Sequence, residues 1–154
     1  MAINWKEAER RLTISSGLLN KTGRFTQTGE LGPLHVGVDL GTADVVVMVL
    51  KESGEPVAAF LEWAEVVRDG VVVDFIGAAD IVCRLMDKAR KRLGADLTTA
   101  ATAFPPGTDS KLSNILERAG LNVTAVQDEP SCVAKLLQLD RTAVVDIGDR
   151  KSVV

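Results

Sequence analysis

A chain of 154 residues with 46% hydrophobic and 25% charged side chains is long enough to bury one real core, and its formal charge of −3 gives no electrostatic reason to expect a nucleic-acid partner. No apolar run reaches the roughly 18–20 residues of a membrane span. The opening Trp5-Lys6-Glu7-Ala8-Glu9-Arg10-Arg11 is unlike a signal peptide, so a cytoplasmic protein is expected.

Residues 1–31 form a polar leader. Ile3 or Trp5, Ala8 and Leu12 make a short helical stripe, and Gly17, Gly23, Gly29, Gly32 and Pro33 predict a loose linker after it. Val36, Val38 and Leu40 alternate with His35, Gly37 and Asp39, which predicts a strand with one buried face. Residues 45–50 are continuously apolar and β-branched, as a central strand requires. Residues 51–56 form a turn, and residues 57–67 supply a third strand, completing an antiparallel meander. Arg68-Asp69-Gly70 turns the chain again, and residues 71–75 are short and extended.

The period then changes. Ala78, Ile81, Val82, Leu85, Met86, Ala89 and Leu93 recur at three- and four-residue steps, predicting a helix over 77–93 stopped by Gly94. Its Arg84, Lys88, Arg90, Lys91 and Arg92 read as a solvated face. Residues 97–104 are strand-like, and Pro105-Pro106-Gly107 breaks the chain. Thr108 or Asp109 then caps a helix carrying Leu112, Ile115, Leu116 and Ala119, ended by Gly120. A short strand at 123–126 precedes a helix that starts at Pro130 and runs through Val133, Leu136 and Leu137 to Leu139. Residues 142–147 make a last strand. The two thiols, Cys83 and Cys132, sit apart in apolar helical contexts and read as buried free cysteines; His35 has no Cys or His at ligand spacing, which argues against zinc.

A meander followed by alternating helices and strands implies an α/β fold with a mixed sheet, later strands joining in parallel through right-handed crossovers. The strand ends at Asp39, Pro105 and Asp146 then share one edge, where ligands of open α/β sheets bind. Asp39-Leu40-Gly41-Thr42 is explained by ordinary hairpin chemistry or by an anion-binding nest beside a magnesium carboxylate. Residues 104–108 either shape a cleft floor or simply break the chain. Asp128-Glu129-Pro130-Ser131 is a helix start favoured by the dipole, or a place where Glu129 holds a metal-bound or attacking water. Asp146-Ile147-Gly148 echoes Asp39-Leu40-Gly41. Together these clusters raise nucleotide binding above plain turn chemistry; singly, none does.

The stretches "VGVDLGTADVV", "FPPGTD", "AGLNVTAVQDEPSCVAKLLQL" and "AVVDIG" resemble, in order, the actin-like ATPase superfamily, which includes actin and the DnaK-type chaperones. "LEWAEVVRDGVVVDFIGA" is similar to a DnaK-like branch linked to ethanolamine utilization and catabolic microcompartments. The resemblance covers about residues 34–148. It implies a ribonuclease-H-like subdomain over 32–148, behind an extension at 1–31. It assigns Asp39 to the magnesium side of a first phosphate loop and Gly41, Thr42 and Ala43 to phosphate. It assigns Glu129, with Pro130, to the catalytic water, and Asp146 and Gly148 to the opening of a second phosphate loop, Asp146 on the catalytic side. The implied cofactors are ATP and Mg2+. The implied role is chaperone-like assistance to ethanolamine-catabolic enzymes or their compartment, with ethanolamine ammonia-lyase or microcompartment shell proteins as partners. The alternative is a nucleotide-independent assembly scaffold of the same fold.

The pattern departs at the end. Asp149 puts a charged side chain where the family uses glycine, and residues 149–154 back-translate to the start of a common sequencing adapter. They are expected to be a non-family tail on a gene fragment that binds ATP weakly or not at all.

Overall fold

The structure, a computed structural model, describes residues 5–26, 30–68, 71–104, 111–139, 143–147 and 152–153. Its centre is a five-stranded sheet in the order β3-β2-β1-β6-β7. The meander is β1 (Leu34–Leu40), β2 (Asp44–Lys51) and β3 (Pro56–Trp63), each pair antiparallel. Strands β6 (Thr99–Phe104) and β7 (Asn122–Asp128) join in parallel on the other side of β1. This mixed sheet, with helices in its crossovers, is the expected ribonuclease-H-like arrangement.

Burial explains the layering. Val36, Val38 and Leu40 of β1 and Val45, Val47 and Val49 of β2 are all at most 5% exposed, and they share a core with Val82, Leu85, Met86 and Ala89 of α2 (Phe75–Leu93). Ile115 and Leu116 of α3 (Lys111–Arg118) complete it. Helix α2 begins two residues before the expected start because Asp74 caps it, its carboxylate accepting from Gly77 N at 2.8 Å. Gly94 ends it as expected, in the left-handed region at φ 63°, which glycine adopts without a Cβ penalty. The expected caps of α3, Thr108 and Asp109, lie outside the described residues.

Three expectations are corrected. The third strand ends at Trp63, not residue 67: Ala64 N still bonds Ala43 O at 2.9 Å, the last rung before β2 gives way to its loop, and the chain beyond forms a separate hairpin of β4 (Val67–Arg68) and β5 (Val71–Val72). The last strand does not join the sheet. Among the described residues only β8 (Asp146–Ile147) forms there, paired antiparallel with β9 (Ser152–Val153). Only four residues separate Ile147 from Ser152, so this local pairing costs little closure entropy. Nor are the thiols fully buried: Cys83 and Cys132 are free but half-exposed.

The leader is docked rather than loose. Helix α1 (Trp5–Leu18) runs straight through Gly17 and packs on β3. The stripe facing the sheet is Glu7, Ala8, Arg11, Ile14, Ser15 and Leu18, all half-buried, while Trp5 and Leu12 of the expected stripe point outward at 60% and 70% exposure. Polar anchors decide that choice. Glu7 bonds Arg10 at 2.9 Å and Arg11 at 2.7 Å, and Arg10 reaches Glu55 in the turn before β3 at 3.4 Å.

Those bonds, Arg10's first and then Arg11's, hold the Glu7 carboxyl down at about 2, against an ordinary value of about 4.3. A depressed carboxyl stabilises the helix that holds it at pH above its free value, and that contribution is lost as the pH falls through the bound one. The first turns of helix α1 should therefore stay ordered above about pH 4.3 and fray as the pH falls toward 2. Amide NMR of residues 7–18 reads this directly, and identical spectra at pH 5 and pH 2 would refute it.

Candidate functional site

The candidate site is the carboxyl-terminal end of β1, β6 and β7. Alternation on β1 sends Val38 and Leu40 into the core and leaves Asp39 exposed on the opposite face. Gly41, Thr42 and Ala43 form the half-buried loop that follows. The loop is tight: a Cβ on Gly41 would lie 3.0 Å from Asp44 Oδ1 and 3.1 Å from the Asp44 carbonyl oxygen. Ala43 O accepts from Ala64 N, so the loop is also tied to the end of β3.

Strand register brings the next group alongside. Asp39 lies beside Ala103 of β6, Ala103 beside Gln127 of β7, and Phe104 beside Asp128. Two inter-strand spacings therefore separate Asp39 from the β7 end, about 10 Å. There Asp128 caps α4 (Glu129–Leu136), its Oδ1 accepting from Ser131 N at 2.8 Å. Its carboxyl is held below the usual range, first by the Ser131 side-chain hydrogen bond and then by that backbone one. Glu129 follows in the first turn with Pro130, as the helix-start chemistry requires.

Cys132 lies among these acids and was missed as a site residue. Burial pushes its thiol up first, then the negative charge of Asp128, with Lys135 opposing and Glu129 and Asp39 adding smaller upward pushes. Both Asp39 and Glu129 thus act on one group at the start of α4. The signal that could have found Cys132 is its position four residues after Asp128, one helical turn along the same face. Lys135, the nearest helix cation, donates to Gln127 Oε1 at 2.6 Å.

The structure therefore brings together Asp39, Gly41, Thr42, Ala43, Asp128 and Glu129. It does not bring Asp146 onto their sheet, since β8 pairs only with β9 among the described residues. Gly148 and the expected cleft floor at 105–108 lie outside the described residues. Among the described residues no three His, Cys, Asp or Glu groups are close enough to hold a metal ion. Mg2+ keeps several waters and needs only one or two protein carboxylates. A pocket of about 180 Å³ lies at the opposite end of β1 and β6, lined by Leu34, Asp96, Thr98 and Thr99, and belongs to no part of this site. No described helix is long and apolar enough to cross a membrane.

No family model matches the chain. It is 53% identical over 139 residues to the ethanolamine utilization protein EutJ of Escherichia coli (strain K12), covering 90% of this chain and 49% of that protein. EutJ of Salmonella typhimurium is 52% identical, covering 90% and 48%. The crystal structure of EutJ from Carboxydothermus hydrogenoformans superposes with a TM-score of 0.83 at 41% identity, covering 94% of this chain and 53% of that one.

Proposed function

The chain belongs to the EutJ family of ethanolamine utilization proteins and spans about half the length of the curated relatives it matches; from that premise we propose that it carries the first phosphate loop of an actin-like protein that binds ATP with Mg2+. The observation behind this is the register of Asp39, its tight glycine loop and Glu129 along one sheet end. Backbone N–H groups of Gly41, Thr42 and Ala43, with the Thr42 hydroxyl, would meet phosphate oxygens. Asp39 would orient the hydrated magnesium, and Glu129 would position a water. When bound, Mg2+ supplies charge neutralisation; the protein supplies positioning. Asp146 and Gly148 would begin the facing loop, and with β8 off the main sheet among the described residues we expect a partial site and weak binding.

The test is a titration of labelled protein with Mg2+ and ADP or ATP, read on the Gly41, Thr42 and Ala43 amides. We expect metal-dependent shifts with millimolar affinity, abolished by Asp39→Ala. Shifts that persist in Asp39→Ala would sink the loop assignment, and micromolar affinity would overturn the partial-site reading.

In the cell, the proposed role is chaperone-like help to ethanolamine-catabolic enzymes, in the cytoplasm or at a microcompartment. The second reading, a nucleotide-independent scaffold, draws support from β8 lying off the main sheet, which leaves Asp146 without a place opposite Asp39. Capture of ethanolamine ammonia-lyase or shell proteins that is unchanged by ATP would favour the scaffold.

A further inference from the structure

The sheet has two outer edges, and they are built differently. Strand β7 leaves Asn122, Thr124, Ala125 and Val126 exposed, whereas β3 is buried from Pro56 through Phe60 and carries no charge up to Leu61. A long apolar edge without charges is a template for another strand. In this chain that edge is covered at its middle by Asn20. Its backbone N–H donates to Ala59 O at 2.9 Å, its Nδ2 donates to Leu61 O at 3.1 Å, and its Oδ1 accepts from Leu61 N at 3.0 Å. Leu19 forms a parallel bridge with Ala59, so residues 19–20 act as a minimal extra strand. The cover is lightly held. Helix α1 has no fully buried residue, its ion pairs are partly exposed, and Asn20 sits in the left-handed region at φ 54°.

We propose that the outer edge of β3 is a strand-addition surface for β3 of a second copy of this chain, kept closed in the monomer by Asn20. The register supports a self-pairing. The outward backbone groups are those of Ala59 and Leu61, so a two-fold axis at Ala59 makes an antiparallel ladder. It sets Val57 opposite Leu61, Ala58 opposite Phe60 and Glu62 opposite Pro56. Glu55 then faces Trp63, and no like charges meet. This proposal is independent of nucleotide binding.

Asn20→Ala removes both side-chain bonds and leaves an alanine at positive φ. In sedimentation velocity it should double the sedimenting mass as concentration rises, while the parent chain stays monomeric. In the dilute monomer, exchange of the Leu61 amide should quicken about tenfold, the effect of one lost hydrogen bond. Arg10→Ala, which removes the tie from the other end of α1 to Glu55 before β3, should give the same dimer. Adding Leu61→Lys to Asn20→Ala should return a monomer, because an edge lysine opposes strand pairing. The proposal is overturned if Asn20→Ala speeds Leu61 exchange yet remains monomeric, if the dimer survives Leu61→Lys, or if only disordered aggregate forms.

Discussion

Phe60→Ala should cost about 3–5 kcal/mol, more than any other single truncation expected here. Phe60 is the largest fully buried side chain among the described residues, on a β3 that packs against both α2 and α1. It pairs with Val47, itself fully buried on the central strand β2, so the void cannot be filled by a shift of an exposed neighbour. The cost combines lost transfer free energy with the cavity left in a rigid sheet. Against a whole-domain stability of about 5–15 kcal/mol, that is a large fraction. The urea midpoint should fall steeply, and at the low end of that range no folded baseline should remain. Trp63→Ala is the control: the residue is aromatic and on the same strand but 75% exposed, so its change should stay within about 0.5 kcal/mol. Equal losses at the two positions would show that β3 is not the core strand described here.

The contrast between those two residues also shows where sequence reasoning succeeds. The meander was legible because period-2 alternation in β1 and the unbroken apolar run in β2 have no helical alternative. Helix α2 was legible because seven apolar residues from Ala78 to Leu93 recur at helical spacing, all of them buried, and Gly94 closes it. Where the deciding contact is long-range, local pattern failed. The inward face of α1 is chosen by Glu7, Arg11 and the distant Glu55, so a stripe built from Trp5 and Leu12 pointed the wrong way. The end of β3 falls opposite Asp44, where its partner β2 begins, and the fate of residues 146–147 is decided by residues 152–153. At the candidate site, Asp39 and Gly41 stood out because a carboxylate and a tight glycine close a strand. Cys132 did not, because Asp39 becomes its neighbour only through the sheet register, although Glu129 stands three residues before it on α4.

The basic run of α2 was expected to be solvated throughout, and Arg92 is the exception with the second largest expected effect. It is 7% exposed, its Nη1 donates to Gly23 O, and its guanidinium lies 5.6 Å from the Phe25 ring centroid. Phe25 N returns a bond to Arg92 O at 2.8 Å, so one residue fastens residues 23–25 to the end of α2. Opposing terms set the net value. The charged hydrogen bond contributes about 1.5–3 kcal/mol, the ring contact about 1 and the cation at a helix C-terminus about 0.3–1. Against these stands Nε, buried with no hydrogen-bond partner among the described residues, at a cost of about 1–3 kcal/mol. Arg92→Ala loses the favourable terms and the packing of the stem, and should destabilise by about 2 kcal/mol. Arg92→Met removes the same bonds but keeps the stem and abolishes the orphaned nitrogen, so it should cost about half as much. Both variants should speed amide exchange at Phe25 while leaving Leu85 protected, since α2 itself remains in the core. If Met proves as costly as Ala, the guanidinium's contacts outweigh its burial penalty. If Met matches arginine, Arg92 serves the leader through its aliphatic stem alone.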